Sequence, residues 1–182
     1  MDNIGIINGH EYVDLGLSVK WATCNVGAES PSEYGNYYAW GETYTKSSYD
    51  WDNCETYEKE IGDIGGTSRD VAHVKWGGTW RMPTWDEINE LLDNCDYEWT
   101  MQNGVKGYKV TSKKNGKSIF LPAAGWRTGT LLHDAGSYGL YWSSTPYESN
   151  AQCTCFLIFR SGNHAWSWND HENGQSVRPV LE

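Results

Sequence analysis

The chain has 182 residues, a net charge of −10 and a mean hydropathy of −0.67. Its 14 Lys and Arg form no basic run, which argues against a nucleic-acid backbone or an anionic membrane surface as partner. No apolar run approaches bilayer length, and Met1-Asp2-Asn3-Ile4 shows no leader pattern, so neither membrane insertion nor a signal peptide is expected.

A chain of this size is expected to form one domain, 1–180, with a core that needs no staples. Leu181-Glu182 reads as a cloning scar. The 11 Trp and 12 Tyr against 3 Phe favour rings that bury one side and keep a polar handle wet. Five cysteines, with no CxxC pair, leave two readings open: free thiols throughout, or one disulfide among Cys24, Cys54 and Cys95.

In chain order, alternation around Leu15, Leu17, Val19 and Trp21 predicts a strand with a tight turn nearby. Glu33 to Glu42 reads as short strand and turn, and Thr43 to Gly66 as an irregular surface excursion. Ser68-Arg69-Asp70 ahead of Val71, Val74 and Trp76 predicts a short helix stopped by Gly77-Gly78. Thr84 and Glu87 form a capping-box pattern, and Ile88, Leu91 and Leu92 follow at helical spacing, which predicts a helix over Thr84 to Asn94.

Trp99 to Leu121 reads as two strands joined by the Asn115-Gly116 turn and ended by Pro122. Ala151 to Arg160 alternates as a strand, with Leu157 and Phe159 on one face and Phe156, Ile158 and Arg160 on the other. After a turn at Ser161-Gly162-Asn163, the run from His164 to Asn173 is rich in amides, imidazoles and indoles, the composition of a contact surface. Strands, two helices, then strands, without βαβ alternation, predict an α+β fold with antiparallel sheet.

Tyr141-Trp142-Ser143-Ser144 and Gly174 to Val180 bracket that region. Together with Asp14 to Cys24, Tyr34 to Glu42, Ala72 to Thr84 and Ser118 to Gly125, they resemble the Fibrobacter-type major paralogous domain abundant in gut bacteria and their phages. The resemblance implies a C-type-lectin-like fold of the formylglycine-generating-enzyme subclass: antiparallel sheets, two helices and long irregular loops. It also implies kinship with variable proteins of diversity-generating retroelements, in which template adenines are miscopied. On that resemblance 141–180 is the variable region, with Cys155, Leu157, Phe159, Trp166 and Gly174 to Val180 as scaffold. The ligand-facing positions are then Tyr147, Gln152, Cys153, Phe156, Ile158, Arg160, Ala165, Ser167, Trp168, Asn169, Asp170, His171 and Glu172. Trp168, Glu172 and Gln152 do not arise from pyrimidine-ending codons. Either the template differs there or this copy is a non-diversified relative.

Catalysis is not expected. Cys153 and Cys155, the only close pair, do not match the copper-binding pair of formylglycine-generating enzymes, and a reactive thiolate needs a cationic neighbour. The histidines at 10, 73, 133, 164 and 171 lack ligand spacing, so no metal or cofactor is expected. Trp168-Asn169-Asp170 matches a calcium-binding tripeptide of sugar-binding lectins, but calcium needs six or more oxygens and the partner loop is missing. The expected function is therefore recognition of a protein or glycan ligand on a variable surface. The alternatives are a calcium-dependent lectin and a structural or adhesin domain of a surface or phage protein. The expected location is a cell surface or virion rather than the cytoplasm.

Overall fold

The computed structural model describes residues 4–182. Met1 to Asn3, part of the start read as lacking a signal peptide, lie outside the described residues. Strands β1 (Ile4–Ile7), β2 (His10–Val13) and β3 (Lys20–Ala22) come first. A long irregular stretch holding one 3-10 turn then leads to helices α1 (Val71–Trp76) and α2 (Trp85–Asn94). Next are β4 (Cys95–Gln102), β5 (Val105–Ser112), β6 (Ser118–Pro122), β7 (Trp126–Thr128) and β8 (Leu131–His133). Three strands dominate the C-terminal part, β9 (Tyr138–Tyr147), β10 (Asn150–Arg160) and β11 (Asn163–Asp170), and β12 (Val180–Leu181) closes the order.

Strands make up 43% of the chain and helices 11%, in four antiparallel sheets. That overturns the expected α+β, C-type-lectin-like class: the protein is β-rich. The helices, of six and ten residues, are insertions between strands rather than a layer of their own. Sequence also under-counted strands. β1 lies outside the expected strands, β8 forms a hairpin with β7 inside an expected loop, and the strand expected around Leu15 to Trp21 is confined to Lys20–Ala22. β4 turns the expected pair over 99–121 into a three-stranded sheet, β4-β5-β6. Two Asn-Gly pairs explain the additions of β1 and β4. Asn8-Gly9 and Asn103-Gly104 each carry two positive φ angles, the geometry a two-residue hairpin between β1 and β2, or β4 and β5, requires.

The three-stranded sheet β11-β10-β9 divides two cores. On one face Tyr141, Leu157 and Phe159 join Leu15, Trp21, Ile88, Leu91, Val110 and Leu121. On the other Leu140, Trp142 and Phe156 join Trp40, Trp80, Met82, Val71 and Val177. Gly139 lies directly beneath Phe159, whose ring would stand 2.1 Å from any Cβ there, so this β9 position excludes side chains.

Local chemistry sets the two helices. Asp70 caps α1 by accepting from the His73 amide at 3.1 Å, and its other oxygen takes the Gly66 and Met82 amides at 2.8 and 2.9 Å. Burial pushes this carboxyl up, against the pull of those amides. At α2 the expected capping box is present: Thr84 accepts from Glu87 N while Glu87 accepts from Thr84 N. Glu87 also takes a two-pronged ion pair from Arg81, at 2.6 and 3.0 Å.

The segment 174–181 threads between the sheets. Gln175 N donates to Tyr38 O, Ser176 N to Leu140 O, Val180 N to Arg81 O and Ala22 N to Pro179 O. Arg178 is buried, donating to Asn25 Oδ1 at 2.9 Å and Ala22 O at 3.2 Å, and desolvation lowers its pKa. Leu181, expected to belong to a cloning scar, instead pairs with Lys20 in β12 and is fully buried. Among the described residues no helix is long and apolar enough to cross a membrane. All five cysteines are free thiols, which excludes the alternative of a disulfide among Cys24, Cys54 and Cys95.

Candidate functional site

β10 lies between β9 and β11, while β11 has β10 on one side only. Cross-strand partners share a face, so the register Leu157↔Trp166 and Cys155↔Trp168 sets both indoles on the Leu157 face. Helix α2 covers that face over Leu157 and Phe159 through Ile88 and Leu91. Beyond its first turn the cover ends. There Trp166 and Trp168 stand 39% and 48% exposed, adjacent along one strand edge.

Four rings meet at this place. Trp85, the first helical residue of α2, meets Trp166 edge to face at 5.1 Å and 83°. Tyr147, at the end of β9, stacks on Trp168 at 5.1 Å with ring planes 4° apart, and reaches Trp166 at 6.2 Å. The α2 start is tied to β9 by the Trp85 amide donating to Thr145 Oγ1 at 3.0 Å, and Thr145 Oγ1 donates to Asp63 at 2.9 Å. Between Trp85, Trp166, Tyr147 and Pro146 lies a cleft of about 480 Å³, floored by Cys155 and edged by Asp86 and Glu148. Burial pushes the Cys155 thiol up to about 11, so the floor is a neutral thiol.

The thirteen expected ligand-facing residues do not form one surface. Tyr147, Gln152, Trp168, Asp170 and Glu172 are exposed or half-exposed toward the β9 and β11 ends. Ala165, Ser167 and Asn169 are half-buried and lie on the other face, paired with Ile158, Phe156 and Thr154. Arg160 is exposed but sits at the far end of β10, five residues and about 17 Å at strand rise from Cys155 in the cleft floor.

The remaining four of the thirteen, Phe156, Ile158, Cys153 and His171, pack inward. Phe156 is 4% exposed and meets Trp142 edge to face at 5.8 Å. Ile158 is half-buried against the same core. Their apolar character thus has a packing reason, which corrects the expectation that they point outward. Cys153 is buried, its thiol donating to Asp170 Oδ1 at 3.3 Å, and desolvation with that carboxylate raises its pKa to about 12.

His171 is fully buried against Trp40. Its Nδ1 lies 2.8 Å from Thr56 O and its Nε2 3.0 Å from the Thr154 hydroxyl. A carbonyl only accepts, so Nδ1 carries the proton and Nε2 accepts from Thr154. Burial lowers the pKa and holds this neutral form.

Trp166 is corrected the other way: expected as scaffold, it is a wall of the cleft. Trp85, Asp86, Glu148 and Cys155 were not read as site residues. No local pattern singles them out, because the Trp85 amide meets Thr145 across 60 positions of sequence. The tripeptide Trp168-Asn169-Asp170 lies along β11, where successive side chains diverge. Two of its three side-chain oxygens are also engaged, Asn169 Oδ1 with the Asp170 amide and Asp170 Oδ1 with Cys153. Among the described residues no three His, Cys, Asp or Glu side chains group as a metal site.

A second cleft, of about 510 Å³, opens beside His10 and Trp76. His10 stacks on Trp76 at 3.8 Å and covers that ring, which leaves this cleft no exposed indole.

A family model for a domain of unknown function (DUF8237) matches residues 97–180, somewhat under half of the chain. The match spans β4 to the start of β12 and includes three walls of the aromatic cleft, but not Trp85. No curated protein and no solved structure matches the chain.

Proposed function

We propose that this protein is a recognition module that binds an external ligand, protein or glycan, in the cleft between Trp85, Tyr147 and Trp166, with Trp168 at its border. One observation carries the reading: two indoles, 39% and 48% exposed, lie side by side at an open cleft, while most of the chain's other Trp are buried. Concave sites walled by aromatics with a few polar groups are where ligands bind, and exposed Trp and Tyr supply contact area at small cost in side-chain freedom. The cleft's size, about 480 Å³, falls within the range of small-ligand sites.

Neither Cys153 nor Cys155 has the depressed pKa a nucleophilic thiol needs. The proposal is therefore binding without catalysis. The test is to screen the protein against arrays of glycans and of peptides, then repeat each hit with Trp166→Ala and Trp168→Ala. Hits that survive both variants unchanged would refute the cleft as the site.

Diversification by a retroelement belongs to the same proposal, limited to positions that tolerate change. Tyr147, Gln152, Arg160 and Trp168 are candidates because replacing them leaves the cores intact. Cys153, Phe156 and His171 are not, since variation there would open cavities or strand buried polar groups. A near-copy of the 141–180 coding stretch, differing at adenines and lying near a reverse-transcriptase gene, would support it. A neighbourhood without such a copy would sink it.

A further inference from the structure

We propose that the aromatic cleft takes an alkylammonium group, a quaternary or methylated ammonium, on its ligand. This rests on the cleft being the binding site and adds the ligand's chemical class.

Trp85 and Trp166 stand at 83° to each other, so one presents its edge to the face of the other and together they form a corner. Tyr147 adds a third ring, 6.2 Å from Trp166. The π-faces of such rings are negative and attract a cation held within about 6 Å of the centroid, indole most strongly. Asp86 and Glu148, both exposed, add carboxylates at the same rim, and no Lys, Arg or His lines the cleft. An anionic ligand would meet repulsion there, in a chain whose net charge is already −10.

A neutral sugar would need several fixed hydrogen-bonding groups. Thr145 Oγ1 is already used twice, by the Trp85 amide and by Asp63. The Pro146 side chain adds none, and the floor is the weakly bonding Cys155 thiol. Ser149 at the rim offers one exposed hydroxyl, short of the several fixed groups a sugar needs. The rest of the free lining is ring surface and negative charge. A methylated ammonium fits both, since it presents positive charge on an apolar, weakly hydrated surface.

The test is to titrate the full chain at fixed ionic strength and follow tryptophan fluorescence. The probes are tetramethylammonium, choline, a trimethyllysine pentapeptide, the neutral choline isostere 3,3-dimethylbutan-1-ol and methyl glucoside. Saturable binding is expected for the cations, with the isostere weaker by about tenfold or more. Choline binding more tightly than the peptide would identify a small-molecule source, and the reverse a modified lysine side chain.

Trp166→Ala should abolish the response. Glu148→Gln, on an exposed loop, should weaken it a few-fold and flatten its salt dependence. Equal binding of isostere and choline, or no saturable response to any cation, would overturn the proposal. Binding of methyl glucoside alone, lost in Trp166→Ala, would overturn the ligand class while leaving the cleft as the site. Cation binding that survives Trp166→Ala would place the cation elsewhere and overturn both.

Discussion

Leu157 on β10 and Trp166 on β11 face each other across one rung of the same sheet, yet they live in different solvents. Leu157 is 2% exposed beneath α2, whereas Trp166 is 39% exposed at a strand with no outer neighbour. The same contrast holds along both strands. β10 is buried on both faces through Cys153 to Leu157, and β11 is nowhere fully buried. The pattern of a single strand therefore does not say which residues are wet. Its place in the sheet and what covers each face do.

The largest loss of stability is expected at Phe156. Phe156→Ala should cost about 3–5 kcal/mol, because the ring leaves a void that its Trp142 neighbour cannot refill. Thermal unfolding would show it, and a change of melting temperature within a degree would mean the ring is not core. Leu157→Ala should fall just below, at about 2–5 kcal/mol. Its cross-strand partner provides the control: Trp166→Ala should cost less, about 1–2 kcal/mol, since the ring is part exposed and its main loss is the edge-to-face contact with Trp85. If the two variants lose stability equally, β11 is packed in a way the sheet order does not account for.

A pH series tests the interior end of the same hairpin. Folding holds His171 neutral, with a pKa below its ordinary 6.5, so the folded state binds fewer protons than the unfolded state as pH drops under 6.5. Stability from this group is fully present above pH 6.5 and declines as pH falls from there toward the folded pKa. His10 and His164 are shifted the same way, by burial, and add to the slope. Chemical denaturation at pH 7.5 and 5.5 should show the loss, and His171→Gln should flatten part of it. An unchanged slope would assign the effect to the other two histidines.

The smallest expected effect is at Trp168→Ala, a few tenths of a kcal/mol, from a half-exposed ring that stacks mainly on Tyr147.

Legibility in the sequence followed the range of the interactions. Helix α2 was readable because its cap, Thr84 with Glu87, and its apolar stripe lie within ten residues. β10 was readable from alternation, and α1 from Asp70 and the closing glycines. The two-sided burial of β10 was not, because Trp40, Trp80 and Val177 reach it from distant parts of the chain. Phe156 therefore looked like an outward apolar residue. Trp166 looked like an inward one for the converse reason: nothing near it in sequence reveals that α2 stops one turn short. Fold class was the least legible, since β1 and β4 show weak alternation and only their Asn-Gly turns mark them as strands.

The strip from Gly174 to Leu181 has one more consequence, and it concerns when the protein can fold. It supplies the bonds that join Tyr38, Leu140, Arg81 and Ala22, so four parts of the chain have no common partner until it is in place. The bonds to Ala22 and Tyr38 close across more than a hundred positions, and such closure is slow. A growing polypeptide that has not yet reached Gly174 carries Trp40, Trp80 and Trp142 without Val177 above them, a sticky intermediate suited to chaperone capture. Ribosome-arrested chains ending before that glycine should remain open to protease, and those extending past Leu181 should close in a single step.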